Sequence, residues 1–577
     1  MEYRLIGDND YNFDPLANIL KNRGIEDPKL FVNVDQSSVI HYSKLNNIDK
    51  AADCLIKHLK NKNKLFVQVD SDVDGYTSSS IIINYIKKIC PKANIHYRIQ
   101  DGKEHGIFID TIPDDVDLVM IPDAGSSQFE EHETLNKRGA DIIVIDHHEC
   151  ERVSEHAIVV NNQLSPDYSN KTLTGAGMAY KFCQAVDEKL NKNEAEQFLD
   201  LVSIGNIADS ADSRNLETRY FMNEGLKKIK HPLLKKLFKK QEFSTKGDKN
   251  IQNTQFFINP LINAAIRVGS SEEKDQMMRA FLLSKEKVPY KKRGQNDTEL
   301  VSIHDDTVRI LGNLKAKQKR IVDAAGVEIK NRIEEKSLTA NKVLIVYIEG
   351  ILDKSLTGLV ANQLAEEYKK PVLLARNDPE KGKDILSGSI RGYDKGFIKD
   401  FKKELIDTGL FEFVEGHPNA AGFAIKRQNL ILVNKVLNEK FKDINIEEDI
   451  QNVDFEIPAK RLRKEFILQL DGYKNYWGYK VEEPLIAITD LEIEVEQIEH
   501  LGKKNKTTVK FKHGDIEYIR FKSDENYFNQ LTASNGTLVI NVIGKAKANE
   551  YKGKKTPQIE IYELEVVRTK QKEQLVF

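Results

Sequence analysis

Three times in the first 150 residues a short apolar run ends in acids. Leu65-Phe66-Val67-Gln68-Val69 leads into Asp70-Ser71-Asp72-Val73-Asp74-Gly75, Leu118-Val119-Met120-Ile121-Pro122 into Asp123-Ala124-Gly125-Ser126, and Ile142-Ile143-Val144-Ile145 into Asp146-His147-His148. Runs this short and this continuously apolar read as strands buried on both faces, the mark of a parallel sheet. Helical stretches separate them: residues 48–59 before the first acids, a helix through Ile89 after them, and a helix through Leu190 opened by Thr174-Gly175-Ala176-Gly177. A helix over residues 194–204 then leads into Asp209. The alternation predicts a doubly wound α/β lobe whose carboxyl edge gathers acids and histidines from four segments.

Carboxylates packed this closely repel one another unless a cation sits among them. An Asp cluster capping a helix is the plain alternative. A calcium loop is a second, but Asp-x-Asp-x-Asp-Gly needs a Glu six residues after the Gly, and Ile81 stands there. Mixed Asp and His ligation favours Mn, with Mg at an oxygen-rich position, so two divalent ions are expected at this edge.

At 577 residues and 65.9 kDa the chain is too long for one core and calls for three or four domains. Its 87 Lys+Arg balance 89 Asp+Glu, so any affinity for nucleic acid must reside in local basic faces. Four separated cysteines without C-x-x-C spacing argue against a structural zinc site or a disulfide framework and fit a reducing cytoplasm. Polar residues follow Met1 and no run approaches 18 apolar residues, so the expectation is a soluble, non-secreted protein with no membrane contact. Residues 14–31 have helical spacing with a stop at Gly24. The Lys-rich stretch 231–250 reads as a solvated face or insertion, and 296–336 as a long charged connector helix. A second α/β lobe follows, carrying Ile385-Leu386-Ser387-Gly388-Ser389-Ile390-Arg391 and Gly416-His417-Pro418-Asn419-Ala420-Ala421-Gly422. There small residues let backbone approach a phosphate that Arg391 and His417 can bind. From about Pro484 strands follow one another without helices, predicting a five-stranded OB-type barrel. Lys503, Lys504, Lys506, Lys510, Lys512, Tyr518, Arg520, Phe521, Lys545, Lys547, Tyr551 and Lys552 interleave on it as a candidate phosphate groove with stacking rings.

The acid and histidine segments, together with residues 199–209, resemble the DHH phosphoesterases and specifically the RecJ single-strand exonucleases. Asn22-Arg23-Gly24-Ile25 is similar to the opening helix of that family, and Asn259-Pro260-Leu261-Ile262-Asn263-Ala264-Ala265-Ile266-Arg267 to a segment near its cleft, with Leu261 and Ile266 as departures. Arg98 and His105-Gly106 fall where the family carries an Arg and a Gly-Tyr-Gly element. Gly-His-x-x-Ala-Ala-Gly resembles the DHH-associated domain, although Leu352-Asp353-Lys354 lacks the family's Trp-His pair.

The resemblance implies a metal-dependent exonuclease on single-stranded DNA, working 5′ to 3′ to mononucleotides in recombination, repair or replication. Asp72, Asp74, Asp123, His147 and Asp209 are the expected ligands of two Mn or Mg ions, with Asp70 and His148 completing the catalytic set. Ser389, Arg391, Gly416, His417 and Arg267 are the expected substrate-binding residues. The expected layout is a catalytic lobe with N-terminal helices over 1–290, a connector helix over 291–340, a phosphate-binding lobe over 341–440, and a linker with OB-type barrel over 441–577. The expected protein is a cytoplasmic monomer that meets single-stranded DNA and a single-strand-binding protein or helicase. Two other readings are a phosphodiesterase on short oligonucleotides or cyclic dinucleotides, and an inactive replication scaffold.

Overall fold

The computed structural model describes residues 1–100, 105–292, 294, 297–378, 381–393, 395–444, 450–502, 506–551 and 553–570. The chain opens with strand β1 (Tyr3–Leu5) and helices α1 (Pro15–Asn22) and α2 (Pro28–Val32). The expected helical stretch is therefore split after Gly24, which sits at φ +77, and restarts where Asp27 accepts a hydrogen bond from the Leu30 N–H.

Alternation then sets in: α3 (Ile48–Asn61), β2 (Lys64–Val69), α4 (Val73–Ile89), β3 (Asn94–Ile99), β4 (Leu118–Pro122), α5 (Phe129–Lys137), β5 (Asp141–Asp146), β6 (Ile158–Asn161), α6 (Gly175–Leu190) and α7 (Leu199–Ala208). The five strands from β2 to β6 pair in parallel in the order β3-β2-β4-β5-β6. Leu118, Met120, Ile143 and Ile145 pack on one face against α3, α4, α6 and α7, while Val119, Ile121, Ile142 and Val144 pack on the other with Leu135 of α5. Burial on both faces explains why these strands read as unbroken apolar runs; each such side chain contributes about 1.5–3 kcal/mol of transfer free energy. The winding reverses between β2 and β4, which opens a crevice at their carboxyl ends. Those two ends carry Asp70 to Asp72 and Asp123.

Helices α8 (Leu216–Lys227), α9 (Pro232–Lys240), α10 (Glu242–Thr245), α11 (Ile251–Asn253), α12 (Asn259–Val268) and α13 (Ser271–Phe281) follow. The Lys-rich stretch is no loose insertion, because Leu233, Leu234, Leu237 and Phe238 of α9 are buried in the same core and only the lysine face is solvated. A hairpin, β7 (Lys287–Lys291) and β8 (Thr298–Ser302), precedes α14 (Ile303–Glu335). The connector helix thus starts at Ile303, since the residues before it are committed to strand pairing.

The second lobe comprises β9 (Leu344–Tyr347), α15 (Thr357–Tyr368), β10 (Val372–Asn377), β11 (Ile385–Arg391), α16 (Phe401–Ile406), β12 (Phe411–His417), β13 (Ala420–Lys426) and α17 (Arg427–Lys440), with sheet order β12-β13-β11-β10-β9. Strands β14 (Gln451–Val453), β15 (Phe455–Pro458), β16 (Ile486–Glu494), β17 (Glu499–Leu501), β18 (Thr508–His513), β19 (Ile516–Phe521), β20 (Thr537–Tyr551) and β21 (Lys554–Lys570) build the third. Its sheet has seven strands in the order β15-β16-β20-β21-β19-β18-β17 and starts at Phe455, so the expected five-stranded barrel from Pro484 was both too short and too late.

The N-terminal helices were expected with the catalytic lobe, but Ile19, Leu20, Ile25 and Phe31 lie in the core of the third lobe beside Phe455, Trp477 and Ile486. The one apolar side of α1 needs a partner, and the all-strand lobe supplies it. β1 pairs with β14, and Arg23 grips Asp454 with two bonds of 2.7 and 2.8 Å. Val268 of α12 packs into the core that α14 shares with the second lobe. Lys395 Nζ of the second lobe reaches Gln451 Oε1 at 2.8 Å, and Ser213 Oγ donates to the Tyr479 carbonyl at 2.7 Å, so every pair of lobes is in contact. Among the described residues no helix is long and apolar enough to cross a membrane.

Candidate metal centre and phosphate cradle

Asp72 caps α4, its side chain accepting from the Gly75 N–H at 2.8 Å, which fixes the first turn directly above the tip of β2. That turn buries Asp74 and aims it at the start of α6. One oxygen of Asp74 accepts from the Gly175 N–H at 2.6 Å; the other accepts from the Ala176 N–H and the Thr174 hydroxyl at 3.0 Å each. A carboxylate at a helix N-terminus is well placed electrostatically. Even so, burial and the neighbouring Asp72 push its pKa up to about 6.

Asp123 is buried at the end of β4 in the left-handed backbone region, φ +68, and its Oδ1 has no hydrogen-bond donor. Burial first, then the charges of Asp74, Asp72 and Asp70, hold its carboxyl well above the usual range. Burial and Asp70 raise Asp72 as well, although its carboxylate keeps an open side to the cleft. Asp209 stands at the C-terminal end of α7, which carries the expected helix over 194–204 about one turn further; burial and the charges of Asp74 and Asp72 raise it.

His147 Nε2 lies 3.1 Å from Asp123, 3.7 Å from Asp209 and 3.9 Å from Asp74. Burial and the adjacent His148 depress its pKa to about 3, so the imidazole is neutral and its lone pair is available. The donor atoms fall into three overlapping groups, Asp74-His147-Asp209, Asp70-Asp72-Asp123 and Asp123-Asp146-His147-His148, each within 4.8 Å. A buried oxygen without a donor, four mutually raised carboxyls and a neutral imidazole are the chemistry of a divalent-ion site.

Asp146 and His148 do something else. Asp146 accepts from the N–H groups of Ser126, His147 and His148 and from His148 Nδ1 at 2.8 Å. Burial works against both charges, but these bonds carry Asp146 far below its usual range and raise His148 to about 9, giving a fixed cation beside the cluster. Asp70 accepts from His105 Nδ1 at 3.0 Å, and burial, which would discharge that imidazole, is outweighed by the Asp70 bond.

Two glycines make the close packing feasible. A Cβ on Gly175 would stand 2.3 Å from Asp123 Oδ1, and one on Gly205 in mid α7 would stand 2.3 Å from Asp74 Oδ1. Gly205 lies in an apolar helical run and carries no chemical signal of its own; only the contact between α4 and α7 reveals it.

Across the crevice β11 delivers Ser389 and Arg391, and β12 ends at Gly416 and His417. Ser389 Oγ bonds Thr357 Oγ1 at 2.8 Å, and Arg391 Nη1 donates to the Ile390 carbonyl at 2.6 Å. Arg267, on the last turn of α12, lowers the proton affinity of Arg391 after burial has done so, and itself senses Asp72. His417 lies near enough to His147 to interact with it electrostatically. Two guanidiniums carried by different lobes thus sense one another, and one of them senses Asp72 of the acidic cluster.

Less of the expected groove on the third lobe is free. Lys545 and Lys547 both pair with Glu483, Lys510 pairs with Glu517, and Tyr518 is buried in a stack on Phe511. Arg520 lies over the Tyr527 ring, while Phe521, Lys506 and Lys512 are exposed. Lys503, Lys504, Lys552 and the Tyr551 side chain lie outside the described residues.

Residues 64–206 match the DHH family N-terminal domain, and residues 453–563 the RecJ OB domain. Over all 577 residues of both proteins the chain is 97% identical to "Putative SPbeta prophage-derived single-strand DNA-specific exonuclease YorK" of Bacillus subtilis strain 168. This chain belongs to the RecJ-type branch of the DHH family. As a RecJ-type protein it is also 25% identical, across 95% of its length and 67% of the other's, to the single-stranded-DNA-specific exonuclease RecJ of the same bacterium. The fold agrees with that of Thermus thermophilus RecJ in complex with Mn2+ at a TM-score of 0.74, with 20% identity over 96% of this chain and 76% of that one. The RecJ OB match from residue 453 bears out the strand-rich lobe in the place where the sheet itself begins.

Proposed function

We propose that this RecJ-type chain is an exonuclease that hydrolyses single-stranded DNA from the 5′ end to mononucleotides, in recombination, repair or replication. The observation that carries the reading is the facing of an acidic, unsatisfied donor cluster by two arginines from different lobes. The names of its relatives supply the substrate class.

Asp74, His147 and Asp209 would hold one divalent ion and Asp70, Asp72 and Asp123 a second, with Mn favoured by the nitrogen ligand. Bound there, such ions supply Lewis-acid polarisation of the phosphate and an activated water. The chain's own groups do the rest. Asp146 fixes the ring of His148 and the backbone of the Asp-His-His turn, and protonated His148 offers positive charge to an anion entering beside the cluster. Arg391 and Arg267 grip a terminal phosphate, with Ser389, Gly416 and His417 shaping the cradle, so the adjacent phosphodiester is set over the acids. A grip on a terminal group is what makes cutting exolytic. The labour divides between a catalytic lobe ending at the β7–β8 hairpin, a connector helix over Ile303–Glu335, a phosphate-binding lobe over 344–440 and a strand-holding lobe built from residues 1–33 together with 451–570. The proposed setting is cytoplasmic, as a monomer, alongside a single-strand-binding protein or helicase.

Digestion of single- and double-stranded DNA labelled at either end, with Mn or Mg, tests this directly. Release of labelled mononucleotide first from the 5′ end of single strands supports it. Cutting only of dinucleotides or cyclic dinucleotides, or no cutting with any divalent ion, overturns it.

A further inference from the structure

At the opposite end of the same sheet, away from the crevice, three side chains of different chemistry converge. Cys54 and His58 lie one turn apart on one side of α3, and Asp141 is the first residue of β5, whose other end carries the Asp-His-His turn. Asp141 Oδ2 is 2.8 Å from His58 Nε2, 3.9 Å from Cys54 Sγ and 3.3 Å from Lys57 Nζ, and the thiol, imidazole and carboxylate atoms all lie within 4.8 Å of one another. His58 is buried and Cys54 half-buried. His58 Nδ1 is held 2.8 Å from the Asn63 side-chain amide, whose oxygen, once the amide is turned over, accepts the Nδ1 proton and leaves Nε2 free to ligate.

We propose that Cys54, His58 and Asp141 form a zinc-type divalent-cation site, completed by water, that staples α3 to the start of β5. Ligands about 2.0–2.3 Å from a tetrahedral ion stand about 3.3–3.8 Å from one another, so the group needs to shift by less than about 1 Å. Lys57, whose side chain is mostly exposed, swings out to water as the ion takes its place on Asp141. Without a cation the thiol is pushed up to about 11 by burial and by the Asp141 charge; a bound ion turns that charge arrangement into ligation. Sulfur separates this site from the crevice, whose donor groups hold only oxygen and nitrogen. The softer ligand set selects zinc or cobalt over manganese.

The test uses the full-length protein loaded with Co2+ and read by absorption, because only a thiolate ligand gives an intense sulfur-to-cobalt charge-transfer band. The expected result is such a band in the wild type, its loss in Cys54→Ser, its retention in Cys150→Ser, and one zinc fewer per chain in zinc-loaded Cys54→Ser. Hydrolysis of single-stranded DNA stays unchanged in Cys54→Ser. A wild-type protein without the band overturns the site, as does a band lost in Cys150→Ser and kept in Cys54→Ser; neither result touches the proposed exonuclease.

Discussion

Replacing Asp123 by Asn separates the cost of the acidic cluster from its use. The side chain keeps its shape, and Asn tolerates the left-handed backbone at φ +68, where Ala would add about 1–2 kcal/mol of strain. What is removed is one negative charge whose ligand atom lies within 4.8 Å of those of Asp70 and Asp72. At an effective dielectric near 20, each such pair repels by about 3.5 kcal/mol when both are ionised, so the gross relief is about 7 kcal/mol. The protein can escape this by keeping a proton on Asp123, at a cost of about 1.4 kcal/mol per pH unit above its ordinary pKa, or about 6 kcal/mol at pH 8. The smaller figure is the ceiling. Because the folded-state pKa is raised, the stability linked to this proton is complete below about pH 4 and is lost as pH rises. Asp123→Asn in EDTA should therefore melt at higher temperature than the wild type at pH 8, by a few kcal/mol in free energy, and no differently near pH 4. With Mn the order reverses, since the wild type gains ligand stabilisation and the variant loses an anionic ligand. Hydrolysis should be abolished. Thermal unfolding across pH in EDTA and in Mn is the assay. A variant that melts lower than wild type in EDTA at pH 8 would refute the repulsion argument, and one that keeps wild-type turnover would refute the ligand role.

Arg391→Ala should lower kcat/KM by about 2–4 kcal/mol, as expected for loss of a charge-assisted phosphate contact, while Mn affinity measured by calorimetry stays put. Gly205→Ala forces a methyl against Asp74 and should cost about 1–3 kcal/mol in stability and much of the Mn response; wild-type melting would show that α7 can retreat freely. The Asp146–His148 pair should support the fold most fully between about pH 4 and 6.5. Its contribution fades as pH rises through about 9, where His148 discharges, and as pH falls toward protonation of Asp146; His148→Gln should erase the alkaline limb of a melting profile. Lys506→Glu with Lys512→Glu should weaken long single strands more than short ones and lower the salt slope of binding by about 0.7 per lost phosphate contact. An unchanged slope would leave the strand-rich lobe a structural role.

The catalytic sheet was legible because parallel strands buried on both faces write themselves as apolar runs, and because Asp and His at their ends have few other uses in such number. The bounds of β4 and of α6 fall where the runs and the glycine turn place them. Asp209 was visible as an acid after the expected helix over 194–204, but that the helix runs on to Ala208 and so carries Asp209 at its own end was not. The Lys-rich helix α9 hid its buried face behind its solvated lysines, and the hairpin before α14 is too polar to stand out from a helix. The lysines of the third lobe looked like a phosphate groove because sequence cannot show that Glu483 and Glu517 already hold three of them. Gly205, and the attachment of α1 and α2 to the third lobe, depend on contacts across long stretches of chain and leave no local trace.

That attachment changes what happens as the chain is made. Ile19, Leu20 and Phe31 leave the ribosome first, yet the surface they bury against begins at Phe455. At about 5–20 residues per second the wait is roughly 20–90 s, during which an amphipathic helix with no partner is exposed to chaperones, proteases and other nascent chains. The amino group of Met1 waits longer still, for Glu565, which it meets at 2.7 Å. The order of the genetic text and the order of assembly are thus opposed in this protein, and its yield at high temperature should depend on how fast it is translated.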